Sequence, residues 1–521
     1  MQKQIVTILG PSLHGVTSKW VSINGRITYF CQNAQPKENE QEMTKPWPEL
    51  LKHYWGSEFV LRSHQQPIVE NLCKGQDVLA LLPTGEGKSL CFQLAGLCLG
   101  GLTLVISPLL ALIQEQVAQL QAKNIKAWQL SSQLSPEERR RLLKGLQNNS
   151  QTFLYLAPEQ LQSGALQAVL AEKPPRLLVV DEAHCISQWG NSFRPAYREL
   201  GKLLSNWHPR PVLGVFTATA PPAIQADICE VLKMEHPQLY QGNVLRENIA
   251  VAIQRVWTPR GKEQSLLKTL VKRPLKTLIY ARSRQACENL ANRLQAKGFA
   301  AHFYHAGTSL AHRQASYLHF REPGPAILVA TTAFGMGVDI PDIATVIHWQ
   351  LPESLEAYVQ EVGRAGRNRA FQAQALALNL WAEKSAQTQP WEPEVLRKIW
   401  KLLGQGRSLL EIQDYLDLGP NLLQTILLAW LEKEAIQPLP GQHYQVSCPN
   451  LTPVLLKHVL EKQKIGVKRL KIQKRELKTY LSSSQCRRQR LEIYFSAPLQ
   501  PPCGNCDRCK KTNLKSETPE S

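Results

Sequence analysis

Residues 77–89 read DVLALLPTGEGKS, and this stretch decides the fold. An apolar run of strand length meets a loop containing Thr84, Gly85 and Gly87, then Lys88 and Ser89, then an apolar helical stretch. Strand, glycine-bearing loop, Gly-Lys-Ser and helix form the phosphate-loop arrangement. Gly85 and Gly87 let the backbone curl so that its N–H groups face phosphate oxygens. Lys88 reaches the β- and γ-phosphates, and the Ser89 hydroxyl suits Mg2+. The strict pattern asks for glycine at position 82, where Leu82 stands.

Outward from this loop, apolar runs of strand length alternate with amphipathic segments. Before residue 240 they fall at 77–83, 102–108, 152–158, 177–184 and 212–220. The pattern restarts at 276–281, 301–307, 326–332, 344–352 and 375–380. Short apolar strands between helices predict parallel sheets buried on both faces. Two such series predict two α/β domains, divided near residues 238–248. Ligands of such sheets bind at the carboxyl ends of the strands, so the residues after each run carry functional information.

Composition narrows the class. The chain has 521 residues, 43% hydrophobic and 20% charged, which excludes wholesale disorder. No run of 18 apolar residues occurs, which excludes a typical membrane-spanning helix and any membrane role of that kind. Twelve cysteines, mostly single in apolar stretches, do not make a secreted disulfide scaffold. The formal net charge is +19, and residues 451–521 hold 16 Lys and Arg against 6 Asp and Glu. A basic end of this kind points to a polyanion, nucleic acid above all, with solvated surface lysine as the competing reading.

Asp181-Glu182-Ala183-His184 directly follows the run LLVV. Asp181 suits Mg2+, and Glu182 suits the base that orients water toward the γ-phosphate. A surface acidic pair is the competing reading if the motif is taken alone. With Lys88 and Ser89 it indicates nucleoside triphosphate hydrolysis. A phosphate loop followed by Asp-Glu-Ala-His resembles the superfamily 2 helicases. Thr217-Ala218-Thr219 matches that family's lobe-coupling motif, and Gln360-Glu361-Val362-Gly363-Arg364-Ala365-Gly366-Arg367 matches its arginine motif. The resemblance implies that Gln360, Arg364 and Arg367 face the nucleotide from the second lobe, with Arg367 as the arginine finger. Two arginines on nucleic-acid phosphate remain the alternative.

The text from Cys185 to Tyr197, with Trp189, Phe193, Arg194 and Tyr197, resembles the aromatic-rich loop of RecQ-type DNA helicases. Flat aromatic faces can stack unpaired bases, each for about 1–3 kcal/mol, and Arg194 adds a phosphate or cation–π contact. Three core aromatics are the competing reading. Phe334 to Asp339 resembles the family's coupling loop. Near the carboxyl end Cys486, Cys503, Cys506 and Cys509 follow C-x16-C-x2-C-x2-C, which supplies four thiolates for a tetrahedral Zn2+. The surrounding text resembles the RecQ zinc module. Disulfides are the alternative, but the ATPase motifs imply a reducing compartment.

The resemblance implies an α/β fold of two tandem RecA-like parallel-sheet lobes, a small α-rich winged-helix-like insert and a zinc-binding helical module. The expected layout is a flexible, dispensable extension over 1–44, lobes over 45–240 and 241–388, the insert over 389–447, a basic zinc module over 448–511 and a polar tail over 512–521. It further implies ATP, Mg2+ and Zn2+ as cofactors, single-stranded and partly duplex DNA as partner, 3′→5′ translocation, duplex unwinding in recombination and repair, and a cytoplasmic, nucleoid-associated location. A DEAH-containing RNA helicase, or an annealing protein with a weakened motor, is the alternative. Lys468, Arg469 and Lys471 are the expected phosphate contacts.

This chain departs from the family pattern in places. Arg62 and Gln65 keep their places in the adenine-reading motif, where Gln65 can both donate to and accept from adenine. Leu61 and Ser63 replace the family's aromatic and proline. Asn368-Arg369 replaces Asp-Gly. Cys486 stands 119 residues after Arg367, beyond the family's usual gap. The extra segment predicts a helix from Pro393 to Leu403, a second behind the Ser408–Glu411 capping box, a third over 421–433 and a hairpin over 436–446. The third helix is apolar and carries one lysine and no arginine, so a packing or protein-contact role is expected of this insert rather than phosphate binding. A plain helical spacer is the alternative. The accessory domains that many RecQ proteins carry after the zinc module have no counterpart in the polar tail.

Overall fold

The computed structural model describes residues 6–9, 19–23 and 26–30, and residues 46–510 except 84, 132–133, 149–151, 188–194, 336–339, 369–371, 381–391, 417–419 and 440–442. Residues 1–43 form one compact unit and residues 44–521 another. In the first, strands Val6–Leu9, Lys19–Ile23 and Arg26–Phe30 pair as a three-stranded antiparallel sheet. The sequence pattern predicts no element there, where the structure has these three strands.

The first lobe is a seven-stranded parallel sheet. Its order is Gln238–Gln241, Val78–Leu81, Val212–Thr217, Leu177–Val180, Leu102–Ile106, Thr152–Leu156 and Ala127–Leu130. Alternate residues of each strand serve opposite faces. Leu79, Leu104 and Leu178 join one core with Leu200 and Ile228, while Val78, Val105 and Val179 join another with Phe92 and Val117. Both faces are therefore covered by helices, which explains the nearly unbroken apolar runs. Strands Ala127–Leu130 and Gln238–Gln241 are not among the runs that the sequence pattern marks. Gln238–Gln241 sits beside the phosphate-loop strand, so the first lobe extends through residue 241.

The second lobe is a six-stranded parallel sheet in the order Ile249–Val256, Ala373–Leu380, Thr345–His348, Thr277–Tyr280, Ile327–Ala330 and Ala301–Tyr304. Its opening strand is also absent from the marked runs, because IAVAIQRV grades into a polar segment. One face of this sheet packs with Leu477, Tyr480, Leu491 and Phe495 of the carboxyl-terminal module. The 30-residue helix Pro453–Ser482 carries the first two of these, and Arg487–Phe495 the others.

The insert forms helices Pro393–Gly404, Leu409–Leu416 and Pro420–Leu431, then the antiparallel pair Ile436–Leu439 and His443–Val446. The capping box closes as its spacing predicts: Ser408 N donates to Glu411 Oε2 at 2.7 Å, and Glu411 N donates to Ser408 Oγ at 3.4 Å. Such a cap satisfies backbone N–H groups that the helix start leaves without partners. Leu423, Ile426, Leu427 and Trp430 of the third helix are buried in the insert's own core, with Trp400 edge-on to Trp430 at 4.9 Å. Val459 of the long helix completes that core, so this helix joins the insert to the second lobe.

Candidate active site

The helix Lys88–Leu99 starts at the carboxyl end of Val78–Leu81. Gly85 and Gly87 both take positive φ, 83° and 75°, which L side chains rarely adopt. Gly87 is needed for a second reason. A Cβ there would collide with the Gln65 amide nitrogen. Gln65 donates to the carbonyls of Glu86 and Gly87 at 3.2 and 3.3 Å, and its oxygen accepts from Arg62 N at 2.8 Å. Arg62 reaches the Gly85 carbonyl at 3.3 Å and the buried Glu86 carboxylate at 2.6 Å. Both residues that the sequence marks for adenine therefore brace the phosphate loop here. Leu61 is part of the first-lobe core. Thr84 lies outside the described residues.

Lys88 Nζ is buried and has no hydrogen-bond partner among the described residues. Its nearest anion is Glu182 Oε1 at 3.7 Å. A buried ammonium without a hydrogen-bonding partner is costly, and a phosphate oxygen meets that requirement. Ser89 Oγ accepts from Gln116 Nε2 at 3.0 Å, a residue that no sequence motif marks.

Asp181 and Glu182 close the strand Leu177–Val180. Burial first, and then the adjacent Glu182 charge, raise the Asp181 carboxyl pKa to about 6, while Ser107 donates to it at 3.4 Å. A carboxylate pressed toward neutrality in this way gains from a cation beside it. Burial acts against ionisation of Glu182 as well, but the charges of Lys88 and His184 overcome it and hold the carboxyl well below its usual range. Glu182 adopts the left-handed conformation at φ 50°, rare for a residue with a side chain, while buried beside Lys88. His184 Nδ1 lies 3.3 Å from Glu182 Oε2 and 3.0 Å from Thr217 Oγ1. His184 therefore links the acidic motif to the Thr217-Ala218-Thr219 motif.

The second lobe meets this cleft with the helix Leu355–Val362 and the turn after it. Arg364 is 3% exposed, and burial lowers its pKa while Tyr280, Glu182 and Glu361 counteract that effect. Arg367 packs against the phosphate loop: a Cβ on Gly85 would lie 3.6 Å from Arg367 Cγ. Gln360 lines a narrow interlobe cleft with Pro83, Thr219, Leu245, Arg246 and Gly363. Lys88, Glu182, Arg364, Arg367 and Gln360 are thus brought together. Arg246 joins them as a residue that sequence reasoning misses. Its only signal is its place between the last strand of one lobe and the first of the next.

The expected DNA contacts divide. Trp189, Phe193 and Arg194 lie outside the described residues, as do residues 336–339 of the coupling loop. Tyr197 is corrected. It is fully buried in the first-lobe core, and its hydroxyl donates to the Asp181 carbonyl at 3.0 Å. It supports the acidic motif and offers no face to a base. Lys468 and Lys471 are exposed on the long helix. Arg469 is half-buried on the same helix, and burial lowers its pKa to about 10, with Glu356, Tyr494 and Asp227 as its charge neighbours.

Cys486, Cys503, Cys506 and Cys509 converge with their sulfurs within 4.8 Å of one another. Backbone N–H groups point at the sulfurs: Arg487 N and Cys509 N at Cys506 Sγ, and Cys503 N at Cys486 Sγ, at 3.4–3.5 Å. Four thiols with N–H donors suit thiolates around Zn2+. Arg487 pairs bidentately with Asp507 at 2.8 and 2.9 Å and locks the helix Arg487–Phe495 to the cysteine knuckle.

Residues 62–227 match the family described as DEAD/DEAH box helicase, 261–369 the helicase conserved C-terminal domain, and 455–510 the RecQ zinc-binding family. The chain is 35% identical over 490 residues to the ATP-dependent DNA helicase RecQ of Synechocystis, covering 88% of this chain and 97% of that one. It is 32% identical to the RecQ of Haemophilus influenzae, covering 88% of this chain but 63% of that relative. Among solved structures, the DNA-bound helicase MrfA superposes with a TM-score of 0.54 at 19% identity, covering 77% of this chain and 59% of that one. RNA-bound yeast Dbp5 superposes at 0.51 and 16% identity, covering 65% and 88%. At those identities the likeness is one of fold.

Proposed function

The chain belongs to the RecQ family of ATP-dependent DNA helicases, and on that footing we propose that it hydrolyses ATP between its two lobes to move along single-stranded DNA in the 3′→5′ direction and separate duplex. The observation that carries this reading is the meeting of Lys88, Glu182 and Arg367 at one phosphate loop, with the Lys88 ammonium buried and lacking a hydrogen-bond partner among the described residues. Lys88 neutralises the β- and γ-phosphates. Glu182, held ionised, orients the attacking water and takes its proton. Arg367, with Arg364, neutralises charge on the transferring phosphoryl group from the opposite lobe. Ser89 and Asp181 would hold Mg2+, which would supply positive charge against the phosphates.

Lobe closure completes this constellation, and hydrolysis releases it, so one lobe advances along the strand each cycle. Lys468 and Lys471 supply phosphate contacts, and Trp189 and Phe193 supply stacking faces. The insert, with the apolar side of its third helix spent on its own core, serves protein contact rather than DNA. Duplex unwinding in recombination and repair, and association with the nucleoid, follow from the family. Single-stranded DNA should stimulate ATP hydrolysis by the wild-type chain and leave Lys88→Ala inactive. Equal rates with and without DNA would count against the reading.

A further inference from the structure

Arg246 stands in the linker between the lobes, where Gln238–Gln241 ends one sheet and Ile249–Val256 opens the next. Its side chain is 5% exposed. Nε donates to the Gly366 carbonyl at 3.1 Å, and Nη2 donates to the carbonyls of Gly363 at 2.6 Å and Ala365 at 2.5 Å. Two residues on, Asn248 Nδ2 donates to the carbonyls of Gly366 at 3.0 Å and Asn368 at 3.4 Å. These carbonyls belong to the turn that carries Arg364 and Arg367. The turn follows the helix Leu355–Val362, whose carboxyl end leaves acceptors without intrahelical donors and favours a cation.

The backbone of the same tripeptide faces the zinc module. Arg488 Nη2 donates to the carbonyls of Arg246 at 3.1 Å and Glu247 at 3.3 Å, and Asn505 Nδ2 donates to the Glu247 carbonyl at 3.0 Å. Arg488 lies two residues after Cys486, and Asn505 lies between Cys503 and Cys506. The segments that present the thiols therefore also grip the linker. The helix Arg487–Phe495 touches both lobes as well: Gln241 donates to the Phe495 carbonyl at 2.9 Å, and Tyr494 donates to Glu356 at 2.7 Å. At the far end of this series, a Cβ on Gly85 would lie 3.6 Å from Arg246 Nη1 and 3.6 Å from Arg367 Cγ.

We propose that Arg246 is a positioning residue for the arginine-bearing turn, and that Arg488 and Asn505 of the zinc module hold Arg246 in place. The zinc module thereby sets the rate of ATP hydrolysis through the linker, without touching nucleotide. This rests on the assignment of hydrolysis to Lys88, Glu182 and Arg367. The bonding pattern makes the two arginines chemically distinguishable. Arg246 spans three carbonyls with two nitrogens, which a lysine ammonium cannot reproduce. Arg488 reaches two neighbouring carbonyls with one nitrogen, which a lysine can.

The test is DNA-stimulated ATPase on the full zinc-loaded chain, with kcat, KM, affinity for a non-hydrolysable ATP analogue, zinc content and melting temperature recorded for each variant. Arg246→Ala and Arg246→Lys should both lower kcat, by up to about 100-fold, with analogue affinity within about twofold of wild type. Arg488→Ala should lower kcat about tenfold, and Arg488→Lys should restore most of it. Should Arg488→Ala fail to fold, Asn505→Ala removes a single linker bond from a half-buried side chain and should still lower kcat at full zinc content. Normal kcat in Arg246→Lys, a loss in Arg488→Ala that Arg488→Lys does not restore, or a change confined to analogue affinity would each overturn the proposal. Lys88→Ala run in parallel separates the failures. Turnover there would reject the site itself, whereas an inactive Lys88→Ala beside an unaffected Arg246→Lys rejects only the linker's role.

Discussion

Lys88 Nζ stands 3.7 Å from Glu182 Oε1, too far for a hydrogen bond and close enough to hold the carboxylate ionised. The pair reaches across from the start of a helix to the end of a strand. The separation leaves the ammonium needing an anion and the carboxylate ionised to orient water.

The two members of the pair should fail differently. Lys88→Ala removes phosphate charge and should lose both ATP affinity and turnover. Glu182→Gln should keep ATP affinity within a few-fold while turnover falls by at least about 100-fold, the scale of a general base. Equilibrium binding of a fluorescent ATP analogue beside steady-state ATPase reads the split. Normal turnover in either variant would reject the site.

Tyr197 and Trp189 should also part company. Tyr197→Phe deletes the hydrogen bond to the Asp181 carbonyl inside the core and should cost about 1–2 kcal/mol of stability, lowering basal and DNA-stimulated ATPase in equal proportion. Trp189→Ala should spare basal ATPase and reduce DNA stimulation. Melting curves and ATPase with and without single-stranded DNA check both. A selective loss of stimulation in Tyr197→Phe would contradict its place in the core.

Much of this architecture is legible in the sequence because parallel strands buried on both faces read as unbroken apolar runs. Val78–Leu81 and Leu177–Val180 announce themselves that way, each with its functional residues directly after it. Strands Gln238–Gln241 and Ala127–Leu130 do not, since edge positions leave polar side chains in the run. Tyr197 is misread because Ser, Asn and Pro neighbours imply a loop, whereas its burial depends on a fold brought together from distant segments. Lysines and arginines along one helix look alike in sequence, and only the fold shows that Arg469 has Glu356 and Tyr494 of other elements as charge neighbours. Arg246 carries no motif, because its role is to satisfy backbone carbonyls more than 100 residues away.

The cysteine cluster should hold one Zn2+ per chain by metal analysis. Structural zinc contributes directly to folding, so Cys506→Ser should give insoluble or protease-sensitive protein, and a strong chelator should lower the melting temperature of the wild type. Active protein free of zinc would remove the assignment.

The salt dependence of DNA binding should separate the long helix from the insert. On single-stranded DNA, removing one cation from a phosphate should flatten the slope of log affinity against log salt by about 0.7. Charge reversal at Lys468 and Lys471 should therefore flatten it by about 1.4 or more, whereas replacing residues 391–447 with a short linker should leave it nearly unchanged. Flattening by the deletion would make the insert a DNA-binding domain.

A motor driven by ATP and tuned to DNA shows itself in strand separation. The full chain should separate a duplex bearing a 3′ single-stranded tail when ATP and Mg2+ are present, fail on the same duplex with a 5′ tail, and fail with Lys88→Ala or Glu182→Gln on either. Its ATPase should rise with single-stranded DNA and respond far less to RNA of the same sequence. Separation that needs no ATP, that survives Lys88→Ala, or that proceeds equally from a 5′ tail would contradict the account.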